Sequence, residues 1–277
     1  MAYNHQTRCN TSHIKRQFIL IPVSSIVIKT PEQIEGIRKS AHLAAETLKY
    51  LEQFVVPGMK TIDIDKKCEE FVRDHGAIPA TKGYRGFKHS CCISPNDVIC
   101  HGVPNDTVIE HGDIVNIDVT TILGGFYGDT CKMYYAGEVS DYAKRLVETT
   151  KECLRVGMQQ CFPGNRLNNI GYHIAQHAQK NGYSVVYEFC GHGVGLKFHE
   201  APDVAHIADA NTGPILKPGM IFTIEPMINA GKARAKVDRK DGWTARTIDG
   251  KLSAQFEHTI LITEDGYDAL TDVYHDF

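Results

Sequence analysis

Val108-Ile-Glu-His-Gly112-Asp-Ile-Val-Asn-Ile-Asp118 reads against Ile215-Leu-Lys-Pro-Gly219-Met-Ile-Phe-Thr-Ile-Glu225. The glycine, two isoleucines and the closing acid coincide at a separation of 107 residues. Upstream, Pro57-Gly58 and Gly76 read against Pro163-Gly164 and Gly182 at a separation of 106. An apolar helical pattern follows each Pro-Gly pair: Ile64, Cys68, Phe71 and Val72 in one copy, Ile170, Ile174 and Ala178 in the other. A helix also precedes each pair, ending near Phe54 and near Cys161. Each copy therefore predicts helix, Pro-Gly turn, helix, then β-strands. A period this long excludes a solenoid. It predicts an α+β fold of two halves, about residues 30–137 and 138–272, related by a pseudo-twofold and sharing one sheet. An acid from each half then faces the axis. The alternative is that both stretches are ordinary hairpins with a glycine turn.

The chain has 277 residues, 23% of them charged, and a net charge of -3. That length buries about 70–75% of the unfolded surface, so no disulfide or metal is needed as a staple. The charge balance argues against a nucleic-acid binder, whose affinity is mainly a Lys/Arg effect, and against disorder. No apolar run reaches the ~18 residues of a membrane span. The nine cysteines contain no C-x-x-C pair, which fits a reducing compartment with buried thiols rather than disulfides or a thiolate zinc site. Residues 1–31 hold no Asp or Glu but carry Arg8, Lys15, Arg16 and Lys29. Residues 1–25 are expected to be a poorly ordered extension, compatible also with an organellar transit peptide, and 26–277 a single domain. Residues 26–28 are expected to add a short strand.

Four acids stand where solvent-exposed acids are not expected. Asp118 and Glu225 close apolar, β-branched runs. Asp129 follows Gly124-Gly-Phe-Tyr-Gly, a turn that can return its carboxylate beside Asp118. Glu257 lies within Leu252-Ser-Ala-Gln-Phe-Glu-His-Thr-Ile-Leu-Ile262. Buried carboxylates are costly unless paired, hydrogen-bonded or bound to metal. Histidine supplies a nitrogen donor in Cys190-Gly-His192-Gly-Val-Gly-Leu-Lys-Phe-His199, where the glycines let backbone approach a site closely. The pair His173-Ile-Ala-Gln-His177 lacks the Glu of a His-Glu-x-x-His zinc site and reads as a polar helix face. Oxygen-rich donors with one imidazole suit Mn, Fe or Co, with Zn or Ni as further options, better than a structural zinc. Four carboxylates are neutralised by two divalent ions, the apparatus of metal-assisted hydrolysis.

Asp118 with Asp129 eleven on, Gly191-His192-Gly193, Phe198-His199-Glu200, Thr223-Ile-Glu-Pro226 and Gln255-Phe-Glu-His258 together resemble type I methionine aminopeptidases. The resemblance covers about residues 26–272. It implies the pita-bread fold, in which two pseudo-twofold-related halves share a curved antiparallel sheet with helices on its outer face. It implies metal ligands Asp118, Asp129, His192, Glu225 and Glu257, with Asp129 and Glu257 bridging two ions. Asp118 would complete one ion, and His192 with Glu225 the other. His199 would donate to the scissile carbonyl or the oxyanion, Glu225 would shuttle a proton, and His101 would contact the substrate backbone or leaving amine. Tyr84, Phe87, Cys92, Phe198 and Trp243 would line the methionine pocket. Thr81 stands where bacterial relatives often carry Cys. Asn116 and Ser253 match an auxiliary Na or K site of some relatives. The partner implied is the N-terminal Met of nascent polypeptides bearing a small second residue. The resemblance further implies contact with the ribosome, a monomer and a cytoplasmic location, with no specific nucleic acid and no membrane. Two alternatives remain. An Xaa-Pro aminopeptidase or prolidase shares the five ligands but typically adds a large N-terminal domain, and a non-catalytic pita-bread scaffold loses ligands.

Overall fold

Thr30 opens the first helix with a capping box: its hydroxyl accepts from Gln33 N, and Gln33 Oε1 accepts from Thr30 N at 2.9 Å. Pro31 at the first helical position costs no hydrogen bond there. A computed structural model describes residues 26–274 of the chain, and the expected extension over 1–25 lies outside them. Helix α1 (Pro31–Leu51) buries Ile37, Ala41, Ala44, Leu48 and Leu51, one stripe at helical spacing. Helix α2 (Thr61–Asp74) buries Ile64, Cys68 and Val72. Strands β1 (Ile78–Pro79), β2 (Cys92–Pro95), β3 (Val98–Cys100), β4 (Ile114–Leu123) and β5 (Phe126–Tyr135) complete the first half. β4 is central: β5 pairs along one edge, β1 and β2 along the other.

The second half repeats the plan. Ser140 caps α3 (Asp141–Met158) by accepting from Ala143 N, and α4 (Asn168–Lys180) buries Ile170, Ile174 and Ala178. Strands β6 (Ser184–Val185), β7 (Gly191–Gly193), β8 (Glu200–Val204), β9 (Ile221–Ile224) and β10 (Met227–Asn229) follow. Then come β11 (Ala235–Val237), β12 (Ala245–Thr247), β13 (Ser253–Gln255), β14 (His258–Ile262) and β15 (Tyr267–Ala269). The antiparallel order is β15-β14-β9-β7-β8 in one group, β13-β10-β6 in a second and β11-β12-β3 in a third.

The repeat is visible bond by bond. Gly58 N donates to Ile109 O at 2.8 Å and Ile109 N to Met59 O at 2.8 Å. In the other half Gly164 N donates to Leu216 O at 3.0 Å and Leu216 N to Asn165 O at 2.8 Å. Gly112 and Gly219 both take left-handed φ, 96° and 83°, at the entry to β4 and β9. Neither glycine closes a two-strand hairpin, so the hairpin alternative fails. An antiparallel bridge between Cys131 and Glu257 joins the two halves.

Each half has its own core under its helices. Leu48, Leu51, Ile64, Val72, Ile117 and Val119 meet in the first. Leu146, Leu154, Ile170, Ile174, Phe222 and Ile260 meet in the second. At about 1.5–3 kcal/mol per buried side chain, either core is large enough to hold its helices on the sheet. A smaller cluster ties Ile37 and Ala41 of α1 to Val194, Ile221 and Leu261 of the other half.

Residues 26–28 form no strand. Val27 and Ile28 are exposed, and the segment is tied down by Lys29 N donating to Gly219 O at 2.9 Å. One bond to a turn residue cannot make a ladder. The eight described cysteines are free, seven of them buried. No helix among the described residues is long and apolar enough to cross a membrane.

Candidate metal centre

Alternation along a strand puts residues i and i+2 on one face. Asp118 and Thr120 therefore share a face of β4, and Asp129 lies opposite Thr120 in register. Thr120 Oγ1 donates to Asp129 Oδ1 at 2.7 Å and orients it. Glu225 sits just past β9, followed by Pro226, which has no N–H to continue a ladder. Glu257 sits in the break between β13 and β14. Its backbone N–H donates to Cys131 O at 3.2 Å, and its carbonyl accepts from Thr130 Oγ1 at 2.7 Å. Both oxygens of Glu225 are held, Oε1 by Thr223 Oγ1 at 2.9 Å and Oε2 by Gln255 Nε2 at 3.2 Å. Its backbone N–H donates to His206 Nε2 at 3.1 Å.

His192 lies on β7. Its Nδ1 is 3.0 Å from Gly193 O, which can only accept, so the ring proton is on Nδ1. Nε2 is left with a lone pair 3.6 Å from Asp129 Oδ2 and 3.7 Å from Glu225 Oε1. Donor atoms of Asp129, His192 and Glu257 all lie within 4.8 Å of one another. Burial lowers the His192 pKa to about 4, so the ring is neutral. Burial also raises Asp129 to about 7 and lifts Asp118, Glu225 and Glu257 well above the carboxylate range, with repulsion from Asp129 adding to each of the last three. A lone pair aimed at carboxylate oxygens repels them unless a cation lies between. The donor set therefore fits a divalent ion, and its hardness and single nitrogen do not fit a cysteine-rich structural zinc site.

Of the five expected ligands, Asp129, His192 and Glu257 converge within ligating reach, and Glu225 joins them through His192. Asp118 lies on the same face of β4. The four acids are not equally enclosed: Asp129 and Glu257 are buried, Asp118 and Glu225 half-buried. The pair His173 and His177 forms no such group among the described residues, and His177 instead faces Asn181.

Beyond the centre stands a wall of rings. His199 lies seven residues from His192, yet the turn between β7 and β8 brings the ring centroids to 4.0 Å. Tyr84 stacks on His199 at 5.3 Å and meets Phe198 at 4.7 Å. Phe87 packs edge-on to Trp243 at 5.2 Å, and Trp243 lies 6.3 Å from His101. His101 holds a left-handed φ of 54° at the end of β3. Cys92 is buried opposite Asp118 in register. Desolvation, then the neighbouring His192, His101 and Arg85, lower the His199 pKa, although the residue keeps an exposed edge. Thr81 is buried, donating to His89 O at 3.0 Å. Asn116 donates to Gln255 O at 2.9 Å and keeps a buried Oδ1 without a partner, while Ser253 Oγ lies 3.4 Å from Ile228 O.

Residue reasoning missed five neighbours. Thr223 and Gln255 precede Glu225 and Glu257 by two, and strand alternation alone would have found them. His206, Tyr127, which stacks on Phe198 at 6.1 Å, and Phe189, 5.4 Å from His101, carry no spacing signal.

Two related halves closing on an oxygen-rich centre define a pita-bread metallohydrolase. The model of metallopeptidase family M24 matches residues 35–264. The methionine aminopeptidase of Escherichia coli K12 is 47% identical over 249 residues, covering 89% of this chain and 94% of that one. The crystal structure of methionine aminopeptidase from Rickettsia prowazekii superposes with a TM-score of 0.88 at 46% identity, covering 89% of this chain and 99% of that one. An Xaa-Pro dipeptidase from Bacillus anthracis gives 0.71 at 25% identity, with 88% of this chain spanning 61% of that one. The chain belongs to metallopeptidase family M24, among its methionine aminopeptidases.

Proposed function

We propose that the chain removes the N-terminal initiator methionine from polypeptides and peptides whose second residue is small. The observation that carries this reading is the convergence of Asp129, His192 and Glu257 beneath the ring-lined cleft. Asp118, Asp129, His192, Glu225 and Glu257 would hold two divalent ions, of which Mn, Fe or Co best suit the donors. When bound, such a pair supplies Lewis acidity and a water acidified towards neutrality.

The remaining work falls to side chains. Glu225 is fixed by Thr223 and Gln255, and burial raises its pKa, which suits it to taking up and passing on a proton. His199 donates to the carbonyl of the first residue as negative charge develops on its oxygen. His101 contacts the backbone of the departing chain. Tyr84, Phe87, Cys92, Phe198 and Trp243 enclose an unbranched, polarizable thioether, which packs well against rings. A pocket bounded at one end by the centre admits one residue, which fixes exopeptidase register. The buried Oδ1 of Asn116, together with Ser253, would serve Na or K. Since initiator methionine becomes accessible on new chains, a monomer working in the cytoplasm near the ribosome is the matching setting.

The Xaa-Pro reading is weaker. The Xaa-Pro dipeptidase is the more distant relative and the longer chain, and no residue pattern here suits gripping proline. The scaffold reading expects lost ligands, whereas the chain carries Asp118, Asp129, His192, Glu225 and Glu257, which favours the catalytic reading. Hydrolysis of Met-Ala-Ser, Met-Lys-Ser and Xaa-Pro peptides by metal-reconstituted protein tests the proposal. Met-Ala-Ser should be cut fastest. Equal cleavage of Met-Lys-Ser would overturn the claim about the second residue, and preferential Xaa-Pro cleavage the whole reading.

A further inference from the structure

Lys29 carries its ammonium where no solvent reaches: its side chain is 0% exposed, and it faces Glu200 Oε1 at 2.9 Å, itself 10% exposed. The contact is an ion pair rather than an aligned hydrogen bond. Burying two charges costs several kcal/mol per ion, so such pairs stabilise poorly and are worth asking about on other grounds. Both partners are anchored. Lys29 N donates to Gly219 O at 2.9 Å, and Thr30 next to it caps α1. Glu200 Oε1 also accepts from Leu196 N at 3.1 Å, closing the turn that holds Phe198 and His199. The other end of that turn is tied where Tyr127 N donates to Gly195 O at 2.9 Å. The turn is therefore clamped at both ends, and among the described residues its charged clamp comes from the segment that enters α1.

We infer that Lys29 and Glu200 are positioning residues for His199, holding the turn of residues 196–199 so that the imidazole meets the substrate carbonyl. The inference rests on the reading of His199 as a donor. Without Lys29, a buried carboxylate one residue from His199 loses its counter-charge, and the turn shifts to rehydrate it. A misplacement of about 1 Å at a reacting group can cost about 10²-fold in rate.

The test is a double-mutant cycle on metal-loaded protein with Met-Ala-Ser as substrate. Lys29→Met should lower kcat by about 10–100-fold with a smaller change in KM, while metal content and far-UV circular dichroism stay at the parent level. Lys29→Arg should recover part of the loss. In a His199→Ala background, Lys29→Met should make less than about a twofold further difference, because residues acting as a unit are not additive. If Lys29→Met does not fold, Glu200→Gln, which keeps an acceptor for Leu196 N, replaces it in the same cycle. Parent-like kcat in Lys29→Met, or losses that multiply across the cycle, would overturn the inference and leave the pair a structural contact. A fully active His199→Ala would overturn the underlying reading of His199 as well, and shows itself in a single variant before Lys29 is touched.

Discussion

The two halves answer the same sequence plan with different ladders. In the first, β4 and β5 pair without interruption from Ile114↔Tyr135 to Leu123↔Phe126. In the second, pairing of β9 with β14 stops at Ile224↔His258 and resumes between β10 and β13 at Met227↔Gln255. The interruption falls at Glu225-Pro226 on one strand and at Phe256-Glu257 on the other. Each of these acids has its backbone N–H diverted out of its own ladder, Glu225 to His206 and Glu257 across to Cys131. The acids of the first half, by contrast, are presented by regular pleat. One half supplies a rigid platform, and the other yields at its two acids so that their carboxylates can turn towards that platform.

The largest effect should come from removing an acid at the break. Glu257→Ala leaves three carboxylates for two divalent ions. Loss of a ligand's hydrogen-bonding partner alone typically costs ~10–100-fold in metal affinity, so loss of the ligand should exceed about 100-fold and take activity with it. Metal analysis after gel filtration checks this, and excess metal should restore part of the activity. His199→Ala separates ring from centre: kcat should fall by ~10²–10³ with KM changing less, and both ions should remain bound. A metal-free His199→Ala beside a fully loaded Glu257→Ala would reverse the two assignments.

The comparison also concerns stability. Leu51→Ala in the first core and Leu154→Ala in the second, both 0% exposed, should each cost about 2–5 kcal/mol. If the bridge at Cys131 and Glu257 makes the halves cooperative, both changes lower one shared melting transition; two separate transitions would show that it does not. A further effect belongs to protons. In chelator-treated protein, burial raises the four carboxylates above their unfolded range, Asp129 to about 7. The folded chain then binds more protons than the unfolded one between pH ~4 and ~7. Stability should be highest below that window and fall as pH rises through it, so the stripped protein should melt lower at pH 8 than at pH 5. Equal melting temperatures would mean that the acids of the two halves do not feel one shared, desolvated field.

Most of the fold was legible because the repeat leaves its mark in residues with backbone duties: the Pro-Gly turns, Gly112 and Gly219, and the apolar stripes of α2 and α4. The acids were legible because carboxylates in β-branched runs demand an explanation. What the pattern could not reveal is where chains separated in sequence meet. His192 and His199, seven apart, would fall on opposite faces of a continuous strand, and only the turn between β7 and β8 folds them together. The partners of Glu225 come from its own strand, from β13 and from the loop beyond β8: Thr223 and Gln255 donate to its carboxylate, His206 accepts from its backbone N–H, and only the first two obey strand spacing. Residues 26–28 misled in the opposite sense: apolar and β-branched, they suggested a strand, but the segment is tied down only next to them, where Lys29 N donates to Gly219 O.

The seam at Cys131 and Glu257 also sets a clock. Asp118 and Asp129 are made early in the chain, His192 and Glu225 later, and Glu257 only with the final strands. A chain still being synthesised thus holds Asp129 and His192 before Glu257, the last of the three converging donors, has been made. The three donors meet only when the chain around Glu257 has docked beside Cys131, so assembly of the centre and closure of the two halves are one event.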